Sequence, residues 1–332
     1  MSFERVAIAG AGAFGTALAV VADRAGRKVT LLARDANAAQ AMQELRENTR
    51  HLPGVELPRS IEVTADPSGI AYADVMLLAA PAQSTRDLLA KLAPQIRDRI
   101  PVIAAAKGIE QGSGKLQTEI IAEMLPAVRP AALSGPGFAD EIARGLPTAV
   151  TIAAADLPLA HALAVALATD AFRPYASDDL VGVELGGAVK NVLAIAAGIV
   201  AGRVLGESAR AALIARGLAE MMRLGAALGA RPETFMGLSG LGDLVLTATS
   251  RHSRNLAFGM ALGEGQRPAD LLAAGMPLAE GAHTATVAAE LAKQRRVDMP
   301  ITAAVAAIIA GRLGVEAAIE GLVSRPLKSE TE

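Results

Sequence analysis

Residues 6–19 read Val-Ala-Ile-Ala-Gly10-Ala-Gly12-Ala-Phe14-Gly15-Thr-Ala-Leu-Ala, a short apolar run that breaks into three spaced glycines and resumes as a helix-forming stretch. Few local patterns narrow the choice of fold as much. Gly10 permits a tight turn, Gly12 lets the backbone approach a pyrophosphate, and Gly15 allows the helix to lie close on the strand. The start of that helix then offers free N–H groups to the phosphates. Glycine-rich turns also arise by chance, so the weight comes from the context: a strand before, a helix after, and a second apolar run at 28–32. The pattern predicts a dinucleotide site.

Further apolar runs follow at 74–79, 101–105 and 147–152, with helix-length segments between several of them, and a strand ends at Ser134. Unbroken apolar strands alternating with helices indicate a parallel sheet covered on both faces, an α/β doubly wound, Rossmann-type domain. From about residue 178 the pattern changes to long Ala/Leu/Gly-rich stretches at 180–204, 208–228, 253–262, 280–294 and 302–310, an all-α half. The polar stretch 174–179 is the expected junction, which divides the chain into a dinucleotide-binding domain, 1–178, and a helical substrate-binding and catalytic domain, 179–332.

Composition excludes several classes. Thirty-two Lys and Arg against 34 Asp and Glu leave a formal charge of -2, so no broad positive field exists for nucleic acid and any anion site must be local. Without cysteine there is no disulfide, thiolate catalyst or Cys-ligated metal, and the four histidines (His51, His161, His252, His283) lack metal spacing, so no metal is expected. The N-terminus lacks the pattern of a signal peptide, and the most apolar window, 192–202, is about half the length that spans a bilayer. The expectation is a soluble cytoplasmic protein without membrane insertion.

The second strand ends in Arg34-Asp35. An acidic group there accepts ribose hydroxyls of NAD, whereas arginine pairs with the 2′-phosphate of NADP. Arg34 comes first, which favours NADPH; Asp35 keeps NAD open, and a merely solvated Arg34 is the plain alternative.

Between residues 185 and 202 Lys190 is the sole charged residue, and Asn191 beside it is a substrate-binding candidate whose amide can orient substrate or backbone. A buried ammonium is expensive, and burial lowers its pKa towards neutrality, which suits a lysine acid/base. A lysine snorkelling to the surface or paired with Glu184 is the alternative. Downstream, Asp243 sits in an apolar glycine-containing loop, and Ser253-Arg254-Asn255 opens a helix with a capping hydroxyl, a guanidinium and an amide. This is the composition of a phosphate site, or else of an ordinary capped helix. Lys107 and the turn 134–138 follow strands at the rim where doubly wound sheets bind ligands.

The segments GAGAFGTALA, AAAKGIE, LSGPGFADEIARGLPTAV, ELGGAVKNVLAIAAGI, GLSGLGDLVLTATSRHSRNLAFG and AEGAHTA together resemble the bacterial type of the NAD(P)-dependent glycerol-3-phosphate dehydrogenase family, in family order and across nearly the whole chain. The resemblance implies interconversion of dihydroxyacetone phosphate and sn-glycerol 3-phosphate, which supplies phospholipid synthesis. It also implies a Rossmann domain followed by a helical domain like that of 6-phosphogluconate dehydrogenase, and a homodimer. By the resemblance, Lys190 is the proton donor and acceptor, and Lys107 lies near both cofactor and substrate. Asp243, Thr247, Ser253, Arg254 and Asn255 contact substrate, and Gly135 and Gly137 lie in the turn that does so. Ala13, Phe14, Arg34, Ala139, Arg254, Leu278 and Glu280 contact cofactor. Two positions depart from the family pattern: Gly137 stands where a hydroxyl side chain is frequent, and Ala13 where serine is. The rival readings are another two-domain dehydrogenase, acting on 6-phosphogluconate or a 3-hydroxyacyl thioester, and a non-catalytic dinucleotide sensor.

Overall fold

In the computed structural model, which describes residues 3–273, 280–327 and 329, ten strands occur among the described residues. They are β1 (Arg5–Ala9), β2 (Lys28–Leu32), β3 (Glu47–Asn48), β4 (Leu52–Glu56), β5 (Ile61–Thr64), β6 (Val75–Leu78), β7 (Pro101–Ala104), β8 (Arg129–Ser134), β9 (Thr148–Ala154) and β10 (Phe172–Ser177). Eight form one sheet in the order β10-β9-β8-β7-β6-β1-β2-β5, and β3 pairs with β4 in a separate ribbon. The strand pattern sends alternate residues to opposite faces: Val6 and Ile8 enter one apolar cluster, Ala7 and Ala9 another.

Six helices cover this sheet or its rim: α1 (Ala13–Arg24), α2 (Ala36–Leu45), α3 (Thr85–Leu92), α4 (Gln117–Met124), α5 (Ala139–Arg144) and α6 (Leu157–Leu167). Leu18, Leu159 and Leu163 fill the first face, and Leu89, Leu92, Ile120 and Ile121 the second. The helical half holds α7 (Leu180–Gly202), α8 (Glu207–Ala227), α9 (Pro232–Met236), α10 (Asp243–Thr249), α11 (Arg254–Gly263), α12 (Pro268–Ala273), α13 (Glu280–Arg295), α14 (Pro300–Ile309) and α15 (Val315–Val323), with a π-helical turn at Leu238–Gly242. A doubly wound Rossmann-type sheet followed by helices is the expected architecture.

The far end of the sheet differs from the expected parallel pattern. β9 runs antiparallel to β8, and β10 is parallel to β9. The connection after β8 carries α5, a helix of 6 residues, which spans about 9 Å and so cannot return along a strand about 20 Å long. The chain therefore starts β9 at the rim where β8 ends. The second correction follows: 174–177, placed in the junction by its polarity, belongs to the edge strand β10 (Phe172–Ser177). Its Pro174 and exposed side chains are tolerated because an edge strand leaves one side unpaired.

This reversal delivers the catalytic half. β10 ends at the rim opposite the carboxyl ends of β1 and β6–β8, and α7 starts there, its first turn capped by Asp179, whose carboxylate accepts from the Gly182 N–H at 2.9 Å. α7 then runs along β8, with Val183 packed in a cluster with Ala132 and Ala153. Lys190, the eleventh residue of the helix, lies about 15 Å along its axis, beyond the carboxyl ends of the strands.

α7 is long and apolar enough by length and composition to cross a bilayer, yet 89% of its most apolar window is buried within the protein. Its closest neighbour is α11. A Cβ built on Gly198 would lie 2.2 Å from the Leu256 carbonyl oxygen, and one on Gly259 2.1 Å from that of Ile195. Glycine on both helices lets the backbones touch, which brings the start of α11 beside Lys190.

Candidate active site

Asp243, at the start of α10, is 1% exposed, and each of its carboxylate oxygens receives an ammonium. Lys190 Nζ donates to Oδ1 at 2.8 Å and Lys107 Nζ to Oδ2 at 2.7 Å. Lys107 also donates to the Gly135 carbonyl at 2.7 Å, and Lys190 to Thr247 Oγ1. Three segments thus meet: the loop after β7, the middle of α7 and the π-turn leading into α10. Two ammoniums around one carboxylate leave net positive charge on largely buried groups, where it acts strongly on an anion or a developing alkoxide. Burial lowers the Lys190 pKa, against the pull of Asp243 and with the help of the Lys107 charge, to about 8. Burial raises the Asp243 carboxyl, but the two lysines more than reverse that and hold it below its usual range.

Glu184 does not pair with Lys190. Six residues set the two side chains about 120° apart around α7, and Glu184 instead accepts from Thr118 at the start of α4. Lys190 does not snorkel either, being 6% exposed.

Asn191 is buried with its amide facing the protein. Nδ2 donates to the Lys107 carbonyl at 3.0 Å, and Oδ1 accepts from Asn255 Nδ2 at 2.9 Å. Asn255 Oδ1 accepts in turn from the Gly281 N–H at 3.1 Å. Ser253 caps α11, its hydroxyl accepting from the Leu256 N–H at 3.2 Å. Arg254 follows at the first helical position, exposed and without an ion pair to another described residue. The helix start, the capping serine and the arginine stand together as the sequence suggested. Beside them the His252 ring lies 5.8 Å from that of Phe138, which belongs to the turn after β8, so the aromatic contact closes the seam between the halves.

The glycine loop has the form a dinucleotide needs. Gly10 has φ +116°, and a Cβ there would lie 2.8 Å from the Ala79 backbone; one on Gly15 would lie 1.9 Å from the Gly10 carbonyl oxygen. A Cβ on Gly12 would meet nothing, which leaves the approach to the first turn of α1 open, and no side chain caps that turn. Ala13 and Phe14 begin α1, and Lys107 Nζ stands 5.9 Å over the Phe14 ring, linking the loop to the lysine cluster. Arg34 is exposed at the end of β2. Asp35 is occupied as the cap of α2, Oδ1 accepting from the Ala38 N–H at 2.8 Å. Ala139 begins α5, and Glu280, at the start of α13, accepts from the Ala82 N–H at 3.1 Å. Leu278 lies outside the described residues. At Gly137 the space a side chain would enter is taken by Ile142, whose Cδ1 would lie 2.8 Å from the new Cβ.

Asn48 was not singled out in the sequence. It is 2% exposed, and its Nδ2 donates to the Ala11 carbonyl at 2.9 Å and to Thr16 Oγ1 at 2.8 Å, tying the β3–β4 ribbon to the glycine loop. A lone asparagine in a polar stretch carries no periodic signal.

A glycine loop and a buried lysine–carboxylate cluster on the same sheet rim define a dinucleotide-linked oxidoreductase. Residues 5–160 match the family described as NAD-dependent glycerol-3-phosphate dehydrogenase N-terminus, and residues 179–320 its C-terminus. The chain belongs to the NAD-dependent glycerol-3-phosphate dehydrogenase family. It is 57% identical over 329 residues, 99% of each chain, to a glycerol-3-phosphate dehydrogenase (NAD(P)+) of Rhodopseudomonas palustris strain HaA2. The crystal structure of glycerol-3-phosphate dehydrogenase from Coxiella burnetii is 38% identical, with a TM-score of 0.92 over 97% of this chain and 99% of that one. A ketopantoate reductase of the PanE/ApbA family from Ralstonia eutropha, 19% identical over 95% of this chain and 99% of its own, has a TM-score of 0.58 and shares the fold alone.

Proposed function

We propose that the protein interconverts dihydroxyacetone phosphate and sn-glycerol 3-phosphate with a nicotinamide dinucleotide. The observation that carries this is the Asp243 carboxylate held between Lys107 and Lys190, beside a glycine loop with an open approach. Gly10, Gly12, Ala13, Phe14 and Gly15 would hold the dinucleotide, with Arg34, Ala139 and Glu280 as further contacts, and the bound group would supply or accept the hydride. Lys190 gives a proton to the ketone oxygen and takes it back in the reverse direction. Lys107 adds positive potential at that oxygen, and Asp243 fixes both ammoniums in place. Arg254, Ser253 and the N–H groups opening α11 hold the phosphate, with Gly135, Gly137 and Thr247 lining the remainder. Asn191 and Asn255 brace the two helices that carry these groups. The boundary between the two domains falls at 178/179.

Proton transfer sets the pH dependence. Lys190 must be charged to act as acid, so ketone reduction holds below about pH 8 and falls above it, whereas oxidation of glycerol 3-phosphate rises towards the same value. The decisive assay compares NADPH oxidation with dihydroxyacetone phosphate, 6-phosphogluconate and a 3-ketoacyl thioester; activity confined to either of the latter two overturns the substrate assignment. Arg254→Ala removes a charge-assisted contact worth about 1.5–3 kcal/mol, so KM for dihydroxyacetone phosphate rises about ten- to a hundredfold. An unchanged KM rules Arg254 out of the phosphate site.

NADPH is the favoured cofactor, because one oxygen of Asp35 is committed to capping α2 while Arg34 is free for a 2′-phosphate. Arg34→Ala therefore raises KM for NADPH about tenfold and leaves that for NADH nearly unchanged; equal changes for both refute this role. Family membership supports the remaining parts of the reading, a cytoplasmic homodimer without nucleic-acid or membrane partners, whose product feeds phospholipid synthesis, and the formal charge of -2 agrees with the lack of a nucleic-acid partner.

A further inference from the structure

We propose that Glu184 is a positioning residue for the reaction assigned above: by holding the first turn of α4 against α7, it sets the separation of Lys190 from Lys107. Glu184 lies on α7, six residues before Lys190, and is 8% exposed. One of its oxygens accepts from the Thr118 N–H at 3.0 Å, and the other from the Thr118 hydroxyl. α4 belongs to the dinucleotide-binding half, so this joint crosses the seam.

It reaches the catalytic loop through one further residue. Gln117, beside Thr118 and 1% exposed, donates from Nε2 to the Gly108 carbonyl at 3.0 Å and accepts from the Thr85 hydroxyl. Gly108 directly follows Lys107. Asn191, seven residues on and so on the same face of α7 as Glu184, donates from Nδ2 to the Lys107 carbonyl itself. The loop is therefore tied to α7 twice, at 191 directly and at 184 through Thr118 and Gln117. These anchors stand about 10 Å apart along the helix axis. With the Asn191 bond alone the loop that carries Lys107 could turn about that point relative to α7; the second anchor removes that freedom.

A carboxylate suits this joint because it offers an acceptor to each Thr118 donor at a helix start. Burial makes it expensive, and with the nearby Glu119 charge pushes its pKa up to about 7 despite the two Thr118 bonds. A group kept at that expense, while touching no ligand-facing atom, fits a geometric role better than simple space filling.

The inference rests on the functional reading, and its test separates the two. Full-length Glu184→Ala, Thr118→Ala and Glu184→Gln are assayed for kcat and KM, and for the pH dependence of Lys190 acylation followed by peptide mass spectrometry without substrate. Asp243 and Lys107 are the charged groups facing the Lys190 amine. Loss of the joint is expected to lower kcat about ten- to a hundredfold, the size of effect a misplacement of about 1 Å has on positioned catalytic groups, with KM for either substrate changed less than about twofold. The acylation midpoint of Lys190 should rise as Lys107 moves away. Glutamine, which accepts from the Thr118 N–H and donates to its hydroxyl, should restore most of the activity. Alanine variants that lose thermal stability but keep both kcat and the Lys190 midpoint overturn the proposal. If Glu184→Ala does not fold, Thr118→Ala decides, since it keeps the backbone bond and removes only the hydroxyl. A wild-type protein that turns over no dihydroxyacetone phosphate overturns the functional reading instead, and the acylation comparison still decides the role of Glu184.

Discussion

Lys190→Ala is expected to lower kcat for dihydroxyacetone phosphate reduction about a hundred- to ten-thousandfold, the range for loss of a positioned general acid, with dinucleotide affinity unchanged. Two effects act together. The proton donor disappears, and the Asp243 carboxylate, 1% exposed, keeps only Lys107 as its ammonium partner. The net charge of the cluster falls from positive to zero, which weakens the potential at the developing alkoxide. The dinucleotide loop is built from β1 and α1 and makes no contact through Lys190, so cofactor titration should give the wild-type curve. Turnover near that of wild type would remove Lys190 from the mechanism. A weakened cofactor affinity would show that the substitution disturbs the fold, and Lys190→Arg would then be compared, since it keeps charge but gives up a proton far less readily.

Gly259→Ala should destabilise the protein by about 3 kcal/mol or more, the upper part of the range for overpacking. Two effects oppose each other. Alanine in a helix interior is better than glycine by about 1 kcal/mol. Against this, the new Cβ would lie 2.1 Å from the Ile195 carbonyl oxygen and 3.0 Å from the Gly198 Cα, both backbone atoms that cannot rotate away. The clash prevails because α7 and α11 must separate to relieve it. Separation also withdraws Asn255 from Asn191, so activity should fall along with the thermal midpoint. A variant at least as stable as wild type, measured by chemical denaturation, would show that the helices are free to move apart. Gly265→Ala makes a useful contrast: no atom stands near its Cβ, but its φ of +95° strains any side chain.

Much of the site was legible because its chemistry leaves local marks. The glycine loop has fixed spacing, and a single ammonium in an apolar helix is conspicuous against its neighbours. The capped start of α11 shows itself as Ser253 followed by charge and amide. Glu184 was legible as a residue but not in its partner: six residues turn it about 120° around α7 from Lys190, and only the packing of α4 shows what it holds. Asn48 had no mark at all, since its role is to satisfy the Ala11 carbonyl, a group 37 residues away. β10 was hidden for a different reason. An edge strand carrying proline and half-exposed side chains has no apolar run to announce it.

By itself the sequence determined the elements whose periodicity or turn chemistry is local: the strands of the sheet's centre, the long helices after residue 178, the turn for the phosphates and the residue types that can move a proton. The tertiary structure alone decided where those groups meet. The short α5 forces β9 to reverse, the reversal starts α7 at the opposite rim, and the helix then carries Lys190 past the strand ends to Lys107 and Asp243. Charges separated by 136 residues in the chain come within 2.7 Å only because backbone direction and helix contact distance put them there, and neither is written in any one segment.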